Sequence, residues 1–162
     1  MDYIKTILIL GFVGFMTAWL ASGIMANSEK PASLNVFSGF NSERQSPSDL
    51  IKENQIHVYE DRIVLDIEGA VWSRFTDTNS MDPILDTGAN AIEIVPKSAA
   101  DIHVGDIASY DSEYGTVIHR VVSTGFDADG WYAVFKGDNN AMPDPGKVRF
   151  DQIRRVVVAL IY

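Results

Sequence analysis

From Thr6 to Ala26 the chain runs TILILGFVGFMTAWLASGIMA, 21 residues without a charge. At about 1.5 Å rise per residue, such a run is long enough to cross the ~30 Å hydrocarbon core of a bilayer. It is apolar on every face, which argues against a core helix of a soluble domain. Gly11, Gly14 and Gly23 would weaken a helix in water but are common in lipid. Two readings compete: a retained anchor, or a cleaved signal peptide with Ala21-Ser22-Gly23 as its small-residue cleavage site. The run exceeds the 7–15-residue apolar core of a signal peptide, which favours the anchor. Lys5 and Lys30 put one basic residue on each flank, so charge does not fix the orientation. A short N-tail is easily held in the cytoplasm, which predicts a single-pass protein with its long C-terminal part on the extracytoplasmic side.

The remaining chain divides by pattern. Residues 27–45 are rich in Ser, Asn and Gly and read as a linker, or as a stretch lying along the membrane with Phe37 and Phe40. Ser46 as N-cap, Pro47 at the first helical position and Asp49 in a capping-box-like place predict a short helix over about 47–54. The domains expected are thus an anchor at 1–26, a linker and short helix at 27–55, and a β-rich domain at 56–162. In that domain Ile63, Leu65 and Ile67 alternate with polar neighbours. Further strands are predicted at 91–95, 106–110, 116–124, 131–136 and 156–162. They are short, β-branched and separated by Gly, Asp or Asn, which predicts a mainly β domain with a coiled, partly closed sheet. Asp127-Ala128-Asp129-Gly130 lacks the glycine position and closing glutamate of a calcium loop and reads as a hairpin turn.

Composition excludes several chemistries. There is no cysteine, hence no disulfide, thiolate zinc site, iron–sulfur cluster or cysteine nucleophile. The net charge of −9 argues against a nucleic-acid partner. His57, His103 and His119 show no metal-ligand spacing; His57 and His103 read as surface or structural residues, and no cofactor is called for.

Three stretches carry groups able to do chemistry: Thr78–Leu85, Val117–Val122, and Lys136–Asn140 followed by Asp144. A serine hydroxyl needs a base to take its proton. Imidazole is the natural base near neutral pH, and a carboxylate can fix its tautomer. Taken singly, Ser80 reads equally as a turn serine, His119 as a half-buried strand residue, and Asp138 and Asp144 as solvated turn carboxylates. Pro83 holds its neighbour extended, which suits a turn exposing the Ser80 hydroxyl. His119 lies within a strand-like run, with Val117 and Val121 on its face and Ile118, Arg120 and Val122 on the other.

In order along the chain, Ser80-Met81-Asp82-Pro83, Gly105-Asp106-Ile107, Ile118-His119-Arg120-Val121-Val122 and Lys136-Gly137-Asp138-Asn139-Asn140 with Asp144 resemble the type I signal peptidases. The subtype resembled is the archaeal and endoplasmic-reticulum one, which uses Ser and His where the bacterial subtype uses Ser and Lys. The resemblance covers about residues 78–162. It implies a β fold of the signal-peptidase and repressor-protease type behind one N-terminal transmembrane helix. It also implies a serine endopeptidase that cleaves signal peptides from translocated preproteins, held to membrane lipid through residues 6–26. By position, Ser80 is the implied nucleophile and His119 the general base. Asp144 is the implied orienting carboxylate, with Asp138 a supporting group and second choice for that role. The Ser80 N–H and the Thr78 hydroxyl are the implied oxyanion donors. The sequence departs from the family at Asp86-Thr87-Gly88-Ala89, where Gly-Asp is usual. Fifty-three residues separate Ala26 from Ser80, so the stretch from Ser46 to Glu68 reads as an added element. Two other readings stand beside this one. One is a self-cleaving Ser–Lys protease, for which Lys97 and Lys136 are the available lysines. The other is a non-catalytic tethered β domain that binds an extended peptide or a partner subunit.

Overall fold

The structure is a computed structural model, and it describes residues 45–162. The expected anchor at 1–26 and the linker up to residue 44 lie outside the described residues. Among the described residues, no helix is long and apolar enough to cross a membrane.

Among the described residues, eight strands make two antiparallel sheets. β1 (Ile56–Val58) and β2 (Ile63–Leu65) pair as a small ribbon. The other six are β3 (Val71–Arg74), β4 (Asn90–Ile94), β5 (Ile107–Ser112), β6 (Gly115–Asp127), β7 (Gly130–Lys136) and β8 (Ile153–Ile161). They form one sheet in the order β3-β4-β8-β5-β6-β7. The sheet does not close: β3 and β7 are both edges. Register shifts at Ile92/Glu93, Ser109/Tyr110 and Val121/Ser123 bend it instead.

Most expected strands form, with ends moved by one to three residues. Sequence reasoning missed β1 and β3. Each is only three or four residues long and too short to display a period of two; Val58 and Trp72 moreover face solvent. Asp127 and Gly130 face each other across a two-residue turn, as a hairpin requires. Asp127 there holds Lys147 and Arg149 in ion pairs, and the Arg149 hydrogen bonds push its carboxyl far below the usual carboxylate range.

The helix expected over 47–54 is absent. Only Glu53–Gln55 turns, as a single 3-10 turn. The would-be first turn is committed elsewhere: the Ser48 N–H and hydroxyl both donate to Asp106 Oδ1, at 2.7 and 2.6 Å. Leu50 packs against the main core. Part of the segment expected as a short helix is therefore a strap docked on the β domain.

Two apolar clusters stabilise the sheet. The larger centres on Phe135, Val121 and Val156, none more than 1% exposed, with the Tyr110 ring 4.5 Å from that of Phe135. The smaller gathers Met81, Leu85, Ala91, Ile107 and Val157. Met81 and Leu85 belong to the turn segment that carries Ser80, so the apolar side chains after the serine root that segment in the sheet.

Candidate active site

Ser80 sits in a turn, not in a strand. Its backbone is clamped by the loop that follows Lys136. The Asn139 N–H donates to the Ser80 carbonyl at 3.0 Å, and the Asn139 side-chain amide donates to the Asn79 carbonyl at 3.0 Å. Asn79 takes a φ of 54°, a left-handed conformation that asparagine tolerates better than most residues. Gly137 is where the clamp comes closest. A Cβ at that position would lie 2.5 Å from the Ser80 carbonyl oxygen and 2.7 Å from Asn140 Nδ2. The Ser80 contact is with backbone and cannot yield without moving the serine, whereas the Asn140 amide is a side-chain end that can turn aside. We expect Gly137→Ala to fold but to lose about 10–100-fold in activity through misplacement of Ser80, read as kcat/KM against urea stability.

His119 comes from the middle of β6, opposite Ala108 of β5. It is 8% exposed. Its Nε2 lies 3.1 Å from Ser80 Oγ, and its Nδ1 lies 2.5 Å from Asp144 Oδ2. A carboxylate acceptor at Nδ1 fixes the neutral tautomer with the proton there, leaving Nε2 to accept from the serine hydroxyl. Asp144 is itself held: its N–H donates to the Phe135 carbonyl at 2.8 Å, which ties the loop back to the end of β7. Thr78 Oγ1 stands 3.2 Å from Ser80 Oγ. Among the described residues the Ser80 N–H donates to no backbone carbonyl.

The structure thus brings Ser80, His119, Asp144 and Thr78 together. It places Asp138 apart from the imidazole. Asp138 faces Arg120, whose Nε and Nη2 each donate to it at 2.7 Å, while Arg120 Nη1 donates to the Gly105 carbonyl at 2.7 Å. As the second choice to orient His119, Asp138 is corrected: its two oxygens are occupied by a bidentate guanidinium. It supports the site through the backbone, since its N–H points at Met81 Sδ, 3.4 Å away. Neither Lys97 nor Lys136 is a hydrogen-bond partner of the Ser80 hydroxyl, whose partners are Thr78 and His119.

Tyr110 was not foreseen. Its hydroxyl donates to Asp144 Oδ2 at 2.8 Å, so one carboxylate oxygen serves both the phenol and the imidazole. The signal was available in the hairpin register. Gly115 opposes Ser112, which sets Ala108 opposite His119 and leaves Tyr110 two residues along the same face. Burial, then the Asp144 hydrogen bond, push the Tyr110 pKa well above the ordinary tyrosine value of 10.0. The sign follows. With the folded value above the unfolded one, this contribution is complete below about pH 10 and is lost as pH rises from there. Tyr110→Phe should therefore flatten the alkaline fall in stability, measured by denaturant melts between pH 8 and 11. An unchanged slope would show that Tyr110 does not carry it.

Of these groups, Ser80, His119 and Thr78 line a cleft of 530 Å³, and Asp144 and Tyr110 do not. Ser80, His119 and Thr78 share it with apolar Phe75, Met81 and Ile118, and with polar Ser73, Glu93, Ser109 and Arg155. β3, an edge strand among the described residues, contributes Ser73 and Arg74 to it.

No protein-family model, curated protein or solved structure matches the chain.

Proposed function

We propose that this chain is a serine endopeptidase that works through Ser80, His119 and Asp144. The observation that supports it is the unbroken hydrogen-bond line from Ser80 Oγ through the imidazole to Asp144, at 3.1 and 2.5 Å. His119 Nε2 takes the hydroxyl proton as Ser80 Oγ attacks the scissile carbonyl. The Ser80 N–H and the Thr78 hydroxyl face the developing oxyanion, and each such donor is typically worth about 3–4 kcal/mol in the transition state. The imidazolium, stabilised by Asp144, returns its proton to the leaving amine. Water, deprotonated by the same Nε2, then releases the acyl group. An extended substrate adds a strand along β3, which is an edge of the sheet among the described residues.

The substrate class proposed is the signal peptide of a translocated preprotein. Its support is the four ordered motifs that resemble type I signal peptidases, together with the uncharged run at 6–26, proposed as a single-pass anchor that leaves the β domain on the extracytoplasmic side. The test uses the full chain in detergent with a preprotein substrate. A fluorophosphonate should label Ser80, and N-terminal sequencing of the product should place one cut behind the apolar core of the signal peptide. No labelling and no cut would return the chain to the reading of a tethered β domain that binds peptide without cleaving it.

A further inference from the structure

Glu93 is a nearly buried carboxylate in the wall of the cleft. It is 3% exposed, yet it lines the cleft that holds Ser80. One oxygen, Oε2, accepts a short hydrogen bond from the Ser73 hydroxyl. The other has no partner among the described residues. Glu93 is itself among the residues that wall the cleft.

Arg155 stands beside it with the opposite need. Glu93 of β4 faces Val157 of β8, and Arg155 lies two residues away on that same face. Such diagonal cross-strand neighbours sit about 7–8 Å apart. Arg155 also lines the cleft, and no ion pair joins it to Glu93 within 4.0 Å. Acceptor and donor therefore face one hollow without meeting, and the Ser109 hydroxyl adds a third polar group to its wall.

From this pairing we infer that the cleft selects a substrate residue with a carboxamide side chain, asparagine or glutamine. The inference rests on the peptidase reading and deepens it. An amide presents an NH₂ donor for Glu93 and a carbonyl acceptor for Arg155. A lysine would meet Arg155, with Arg74 at the rim, and an aspartate would meet Glu93. An apolar side chain would cover both groups and supply neither hydrogen bond, and a polar site rejects such an analogue strongly.

The test uses the full chain in detergent with internally quenched peptides. They differ at one residue at a time, across the four positions before the cut, carrying Ala, Val, Asn, Gln, Asp or Lys. At one position kcat/KM for Asn or Gln should exceed that for Ala by about 30-fold. Glu93→Gln, which replaces an acceptor with a donor, should reduce that ratio about tenfold. Arg155→Met should reduce it independently, and serves where Glu93→Gln fails to fold. A panel led by Ala or Val at every position, or an amide preference that survives both variants, overturns the inference. Fluorophosphonate labelling of Ser80 keeps the two failures apart. A labelled enzyme with a flat panel sinks only the amide selection, whereas a chain neither labelled nor active sinks the peptidase reading with it.

Discussion

Ser80→Ala should lower kcat/KM by about 10⁴–10⁶-fold while leaving the unfolding midpoint within about 0.5 kcal/mol of the parent chain. The expectation comes from how little the hydroxyl does for the fold. Its partners are His119 Nε2 and Thr78 Oγ1, whereas the turn is held by the Ser80 carbonyl, the buried Met81 side chain and Leu85. Alanine keeps all three of those anchors. His119→Ala should cost about as much activity, because nucleophile and base act as one unit; the double variant should be scarcely worse than either single one. Asp144→Asn should fall by about 10⁴-fold, since the amide can invert the imidazole tautomer and put the proton on the nitrogen facing Ser80. Steady-state kinetics with urea melts on the same samples separate lost chemistry from lost folding. Ser80→Ala at parental activity would remove the serine mechanism.

Arg120→Ala should be the most destabilising substitution near the site, at about 3–5 kcal/mol. The Arg120 and Asp138 side chains are 19% and 12% exposed, and the guanidinium grips both carboxylate oxygens. Removing the arginine strands a partly buried carboxylate and leaves the Gly105 carbonyl without its donor. Lysine should not rescue it, since a single ammonium cannot reproduce the bidentate fork or reach Gly105 as well. Arg120→Met with Asp138→Leu should recover much of the loss, because the penalty comes from an unpaired charge more than from absent attraction. Equilibrium urea unfolding of the parent, Arg120→Met, Asp138→Leu and the double variant forms the cycle. If Arg120→Ala costs under about 1 kcal/mol, the pair behaves like an exposed ion pair.

The outline of the β domain was legible because strand periodicity and turn residues survive in the sequence. Asp127 to Gly130 forms the expected reversal, and the long β6 carries His119 rigidly, as its β-branched neighbours suggest. Three motifs far apart along the chain announced Ser80, His119 and Asp144. What stayed hidden depends on the third dimension. Tyr110 and Arg120 are ordinary strand residues until the β5–β6 register aims one at Asp144 and pairing with Asp138 claims the other. The 47–54 segment misled because its helix-start residues are real, but Asp106 outbids the helix for the Ser48 donors. Closure of the sheet also failed, since β3 and β7 remain separate edges rather than meeting.

The strap over Gly105 sets where the chain can be shortened for solution work. A Cβ at Gly105 would fall 2.2 Å from the Ser46 carbonyl, and φ there is +104°, so the crossing is built for glycine alone. Asp106, 1% exposed, accepts from the Ser48 N–H, the Ser48 hydroxyl and the His103 N–H. An expression clone opening at residue 45 keeps these donors; one opening at residue 52 leaves an interior acid with one of its three and uncaps the apolar surface beneath Leu50. The shorter clone should yield less folded material, although it retains every side chain of the cleft.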